Sequence, residues 1–327
     1  MLEKIGFELD DIPQLNGKVA IVTGGNSGIG EVISRELARR GCKVYIAGRS
    51  QSRIEAAIAR IKAAIGMDEN LFALDLDLET MKGAVASAKH FMKLENRLDI
   101  LMANAGLVAL ESELTPEGYE KTFCHLGHFA FVTTLLPLIE QTADDYPESD
   151  VRIVVTSSRS YASAKKIDYD DVKKAFNGSG HLSMLFNMLG RYARSKLCNI
   201  YFAKELAEIL ASRKNVYVNA MHPGVIPTNI FNLTNSPLPR YLQAIGTWQA
   251  KVIGLNVDDG SKTGLFLATS PLVISKDFRG EMIYPGPWGL VYYRYVYKHN
   301  LNDLALNVDE QKHLWSFSEN ALEEALS

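Results

Sequence analysis

Residues 18–30 read Lys-Val-Ala-Ile-Val-Thr-Gly-Gly-Asn-Ser-Gly-Ile-Gly, and their order decides the fold. A β-branched apolar run, Lys18–Thr23, leads directly into glycines at 24, 28 and 30 and then into a helical pattern over Ile29–Arg40. The glycines let the backbone turn tightly and approach a ligand closely. The helix behind them offers unpaired N–H groups and the positive end of its dipole, which suits a pyrophosphate. A plain strand-to-helix turn needs one glycine; three at this place point to a dinucleotide site.

Outward from this turn the same alternation repeats. Strand-like runs occur at Lys43–Ala47, Leu71–Leu74, Leu98–Ala103, Val151–Thr156 and Val216–Met221. Helical patterns lie between them, among them Ser50–Ile65, Leu78–Leu94 and Phe202–Ser212. Strand then helix, repeated, implies a doubly wound α/β fold of the Rossmann type, a parallel sheet of about seven strands covered by helices on both faces. The runs are apolar throughout rather than alternating, as burial on both faces requires. With no linker, repeat or low-complexity block, residues 1–327 read as one domain. The proline-bearing stretch Pro227–Gly254 and the aromatic Trp288–Lys298 depart from the pattern, so 225–256 and 286–300 are expected to edge a substrate pocket, with the tyrosines of the second stretch half-buried.

The 327 residues are 47% hydrophobic and 22% charged, the balance of a globular chain. A net charge of −3 supplies no field for a polyanion, so nucleic acid is not an expected partner. Cys42, Cys124 and Cys198 are too few and too scattered for a disulfide framework. No apolar run is long enough for a transmembrane segment, and no signal or lipidation motif is found, so a cytoplasmic protein is expected.

The turn is not the common G-x-G-x-x-G but T-G-x-x-x-G-x-G, and that variant resembles the short-chain dehydrogenase/reductase family. The likeness continues along most of the chain: Asn104-Ala105-Gly106 after the fourth strand, Ser157-Ser158 after the fifth, Tyr192-Ala-Arg-Ser-Lys196, and His222-Pro223-Gly224 with Thr228 beyond it. The tail from His313 is similar to the retinol-dehydrogenase-like branch. The resemblance implies an oxidoreductase in which Ser158, Tyr192 and Lys196 are catalytic, the second serine of the pair being the reactive one. It also implies that a dinucleotide is held by Gly24, Asn26, Ser27, Gly28, Ile29, Gly30, Asn104, Ala105, Gly106, Tyr192, Lys196, Pro223, Gly224, Val225 and Thr228, with Asp75 at the adenine.

The residues fit those roles. Tyr192 and Lys196, four apart on a helix, share one face. An ammonium beside a phenol favours the phenolate and suits the phenol to proton exchange near neutral pH. A serine hydroxyl at a strand end can hydrogen-bond a substrate oxygen as charge develops there. For the cofactor, NAD enzymes place an acid about 20 residues past the glycine turn. Here that strand ends Ala47-Gly48-Arg49-Ser50, and Arg49 can pair with a 2′-phosphate, so NADP(H) is favoured over NAD(H).

One position departs from the family pattern: Cys124 stands where the branch has Asn, a residue the family uses to hold a water near the active-site lysine. The neighbouring His125 and His128 do not complete a tetrahedral metal set with it, and no metal is expected. Met184, Leu185, Phe186, Met188 and Leu189 are expected in the core or the pocket wall. The expected activity interconverts a carbonyl and an alcohol on a hydrophobic small molecule; reduction of a C=C bond beside a carbonyl, or cofactor binding with little turnover, are the alternatives. A homo-oligomer is compatible with the sequence. A serine hydrolase is disfavoured, since no G-x-S-x-G occurs.

Overall fold

The computed structural model describes residues 5–66, 69–108, 111–123, 125–176, 178, 180–224, 256–286 and 295–327. In chain order these form β1 (Ile5–Gly6), β2 (Val19–Thr23), α1 (Gly28–Arg39), β3 (Lys43–Gly48), α2 (Gln51–Ile65), β4 (Leu71–Asp75), α3 (Met81–Leu94), β5 (Ile100–Ala103), α4 (His125–Asp145) and β6 (Val151–Thr156). There follow α5 (His181–Ile209), β7 (Val216–Met221), α6 (Val257–Thr269), α7 (Pro271–Ser275), β8 (Met282–Pro285), β9 (Tyr295–Lys298) and α8 (Val308–Leu326).

The strands form one sheet in the order β1-β9-β8-β7-β6-β5-β2-β3-β4. The run from β8 to β4 is parallel, the seven strands that the alternation predicts. Among the described residues the sheet has nine strands, because β9 turns back antiparallel beside β8 and carries the two-residue β1 on its outer edge. Side chains alternate across the central strands, and this divides the core. Val19 and Ile21 of β2 join the cluster under α3, α4, α5 and α8, while Ala20 and Val22 join the one under α1, α2 and α6.

Helix ends follow local chemistry. The periodic pattern starts at Leu78, but the helix starts at Met81 because the Thr80 hydroxyl accepts from the Gly83 N–H at 3.1 Å. Gly66, at φ +69°, closes α2 in the left-handed conformation. No helix among the described residues is long and apolar enough to cross a membrane.

Between β2 and β5 the order of connection reverses, so the crossovers leave in opposite directions and open a crevice at the carboxyl ends of the strands. The glycine turn after β2 and Asn104-Ala105-Gly106 after β5 flank that crevice.

Candidate active site

The glycine turn is built for close backbone approach. Gly24 and Gly28 take φ +67° and +56°, in the region that side chains strain. A Cβ on Gly30 would stand 2.3 Å from the Gly24 carbonyl oxygen and 2.8 Å from Asn104 Nδ2, so only glycine lets α1 seat here. Ser27 holds the N-cap position of α1 but its side chain makes no capping bond to the helix. Asn26 lies beside the end of β3, where a Cβ on Gly48 would come within 3.3 Å of its Oδ1. Ile29 is half-buried and packs on the core under α1.

Thr23 binds the two walls of the crevice together. Its Oγ1 accepts from the Asn104 and Ala105 N–H groups, both at 2.9 Å, and lies 3.0 Å from His128 Nε2. Asn104 Nδ2 donates to the Thr23 carbonyl at 3.1 Å, and Asn104 Oδ1 accepts from Thr156 at 3.4 Å. Positive-φ glycines, a helix N-terminus without a side-chain cap and a rigid Asn104 wall together suit a phosphate-bearing dinucleotide.

At the end of β6 stand the groups expected to do chemistry. Lys196 is buried, its Nζ 5.5 Å from the centre of the Tyr192 ring, and it donates to the Thr156 carbonyl at 3.3 Å. Asn199, one turn further along α5, donates to the same carbonyl at 2.9 Å. The Ser157 hydroxyl donates to the Lys196 carbonyl at 2.7 Å, which consumes it in docking α5 onto β6. Ser158 is half-buried beside it and caps the short turn Arg159–Ser163, its Oγ accepting from the Ser160 N–H at 3.2 Å. Pro223 and Gly224 follow β7 at the same end of the sheet.

Arg49 is exposed but not simply solvated: its Nη1 donates to Glu79 Oε2 at 2.7 Å. Lys121, at 2.9 Å, and then Arg49 hold the Glu79 carboxyl below the usual range. An exposed pair of this kind contributes at most about 1 kcal/mol, so Arg49 can exchange Glu79 for a phosphate. Asp75 ends β4 with its side chain exposed, in register with Gly48.

Val225, Thr228 and Cys124 lie outside the described residues, as do Pro227–Gly254 and residues 287–294. Tyr297, in β9, is half-buried. The apolar stretch before Tyr192, expected in the core or the pocket wall, divides between buried and exposed positions. Met188 is buried, whereas Phe186 and Leu189 are 65% and 44% exposed.

The two histidines after Cys124 point to different partners. His128 meets Thr23, whereas His125 is packed among Phe123, Phe129 and Phe202 with its Nε2 3.0 Å from Ser318 Oγ. Ser318 spends its proton on the Leu314 carbonyl, so Nε2 carries the His125 hydrogen and Nδ1 is the bare, unpartnered atom. Burial pushes the His125 pKa down to about 3. The unfolded chain takes up this proton near pH 6.5 and the folded one does not, so stability falls as pH drops below 6.5, by about 1.4 kcal/mol per unit. His125→Phe is therefore expected to reduce the loss of unfolding free energy between pH 7 and pH 5 by about 2 kcal/mol in urea titrations. An unchanged loss would contradict the burial assignment.

Sequence reasoning missed Thr23, Asn199 and a buried ion pair beside the tyrosine. Arg191, 4% exposed, pairs with Glu120, 1% exposed, and also donates to Thr122 and Asn187. Asn199 carried a signal, one turn from Lys196 on the same face; the partners of Arg191 lie too far off in sequence to carry one.

The short chain dehydrogenase family model matches residues 18–170. An uncharacterised oxidoreductase of Schizosaccharomyces pombe is 34% identical over 276 residues, 84% of this chain and 78% of that one. Retinol dehydrogenase 14 of Mus musculus is 33% identical over 269 residues, 79% of this chain and 75% of that one. A crystal structure of a protein from Mycobacterium paratuberculosis superposes with a TM-score of 0.71 at 25% identity, over 98% of both chains. With its glycine turn, its Asn104 wall and its Tyr192–Lys196 pair at the strand ends, the chain belongs to the short-chain dehydrogenase/reductase family of oxidoreductases, in the retinol-dehydrogenase-like branch.

Proposed function

We propose that the protein is an NADP(H)-dependent oxidoreductase that interconverts a carbonyl and an alcohol on a lipophilic small molecule. The observation that carries this reading is the buried Lys196 ammonium under the Tyr192 ring, with Ser158 at the adjoining strand end. The nicotinamide, when bound, supplies or accepts the hydride. Tyr192 exchanges the proton at the substrate oxygen, Ser158 hydrogen-bonds that oxygen as it gains charge, and Lys196 favours the phenolate. The glycine turn and the N-terminus of α1 hold the pyrophosphate, Asn104, Ala105 and Gly106 form the wall beside it, and Pro223 and Gly224 border the nicotinamide end. Leu182, Phe186 and Leu189 are exposed at spacings that share a helix face one turn before Tyr192, which supports a lipophilic substrate.

NADP(H) rests on Arg49 and on the lack of an acid at the end of β3. The Arg49–Glu79 pair favours a second reading, in which Glu79 neutralises Arg49 and NAD(H) is used. Equilibrium binding separates the two. NADPH is expected to bind at least about tenfold more tightly than NADH, equivalent to about 1.4 kcal/mol. Arg49→Asp should shrink or reverse the ratio, and Glu79→Gln should widen it. Equal affinities in the unmodified protein would overturn the NADP(H) assignment.

A further inference from the structure

Tyr192, Lys196 and Asn199 follow one another at spacings of four and three along α5, so they share one helix face. Lys196 and Asn199 both donate to the carbonyl of Thr156, at the end of β6. The two bonds rank in an unexpected order. A charge-assisted N–H···O bond ordinarily runs about 2.7–2.9 Å, shorter than a neutral one. Here the neutral Asn199 amide lies at 2.9 Å and the Lys196 ammonium at 3.3 Å. The amide holds the better place on the acceptor, and the cation is kept at the long end of bonding distance.

Fastening α5 to the sheet does not account for this amide. The Ser157 hydroxyl already ties α5 to β6 at the same level, through the Lys196 carbonyl at 2.7 Å. Asn199 is 8% exposed, and its neighbours Leu197, Cys198 and Ile200 are buried and apolar. Lys196 serves the same carbonyl, so removing the amide orphans no acceptor. A buried amide in such surroundings costs more than a packed leucine. What the amide changes is the ammonium. Among the described residues the Thr156 carbonyl is the one hydrogen-bond acceptor of Lys196, and an ammonium carries three donors. With one donor engaged weakly, the others remain for the Tyr192 oxygen and a bound dinucleotide. Thr156 is itself held to the cofactor wall, its hydroxyl donating to Asn104 Oδ1 at 3.4 Å.

We propose that Asn199 is a positioning residue: by occupying the Thr156 carbonyl it stops the Lys196 ammonium from settling on the strand end and keeps it beside the Tyr192 ring. This rests on the reading of Tyr192 and Lys196 as the reacting end of the site. Without the amide, the ammonium takes the carbonyl alone, shortens that bond and withdraws from the phenol and the nucleotide. Proton exchange at Tyr192 then slows, and the cofactor loses a charge-assisted contact.

The test is Asn199→Leu, which removes the amide at similar volume, read by stability, binding and turnover together. The urea midpoint is expected to hold or rise, since an apolar group replaces a buried polar one. NADPH and NADH should bind about tenfold more weakly, while 2′,5′-ADP and 5′-ADP, which lack the nicotinamide end, stay within about twofold of the unmodified protein. Turnover per folded molecule should fall about tenfold or more, with a larger solvent deuterium isotope effect, because proton exchange becomes the slow step. Asn199→Ala, which asks for no room, should show the same pattern of binding. A lowered urea midpoint with cofactor binding, turnover and isotope effect unchanged would reduce Asn199 to a fastening and overturn the proposal. Equal weakening of the cofactors and their adenosine halves, or no change in any readout, would overturn it too. If the unmodified enzyme reduces no lipophilic ketone while the nicotinamide-dependent loss of binding appears, positioning by Asn199 stands and the carbonyl-reduction reading alone fails.

Discussion

Tyr192→Phe is expected to lower turnover by about 100-fold or more while NADPH affinity stays within about twofold, because it deletes the proton donor and little else. The ring remains to cover Lys196, whose ammonium lies 5.5 Å from its centre and stays anchored on the Thr156 carbonyl. Lys196→Met should be more complex, since it removes a buried cation as well as its bond to β6. Steady-state kinetics beside cofactor titration make the distinction. Near-full activity in Tyr192→Phe would move the proton transfer to another group.

Glu120→Ala is expected to destabilise the folded chain by about 3–5 kcal/mol, the cost of leaving a buried charge without its partner. Arg191 is 4% exposed, and Thr122, Asn187 and the Glu111 carbonyl, to which it also donates, carry no charge. The pair also joins the segment before α4 to the residue preceding Tyr192, so surviving Glu120→Ala protein should show reduced turnover as well. Replacing both members with apolar residues of similar volume should restore most of the stability. Urea unfolding at neutral pH measures the effect; a change below about 0.5 kcal/mol would show that water reaches the pair.

The parts legible in the sequence are those whose signal is local. The run into Gly24, Gly28 and Gly30 announces strand, turn and helix within a dozen residues, and the apolar strands announce burial on both faces. Tyr192 and Lys196 are likewise a local pair, four residues apart on one helix. What was not legible depends on residues distant in sequence. Nothing near Arg49 shows that Glu79 will meet it, and nothing near Arg191 shows that Glu120 will. Thr23 reads as one more β-branched strand residue, although its hydroxyl holds Asn104 and Ala105 in place. The antiparallel β9 is four residues long, too short for periodicity to distinguish, and it exists because β8 leaves an edge to be covered. Phe186 and Leu189 carry the apolar spacing of a core face yet are exposed, so spacing alone does not separate core from pocket wall.

Transfer of deuterium from NADPH labelled at the donating C4 position to a panel of lipophilic ketones tests the assignment most directly. The unmodified enzyme is expected to place deuterium on the carbinol carbon of the alcohol product, and Tyr192→Phe to lose that transfer under the same conditions. An unlabelled product, no product at all, or deuterium found only at the carbon of a reduced C=C bond would contradict carbonyl reduction at this site.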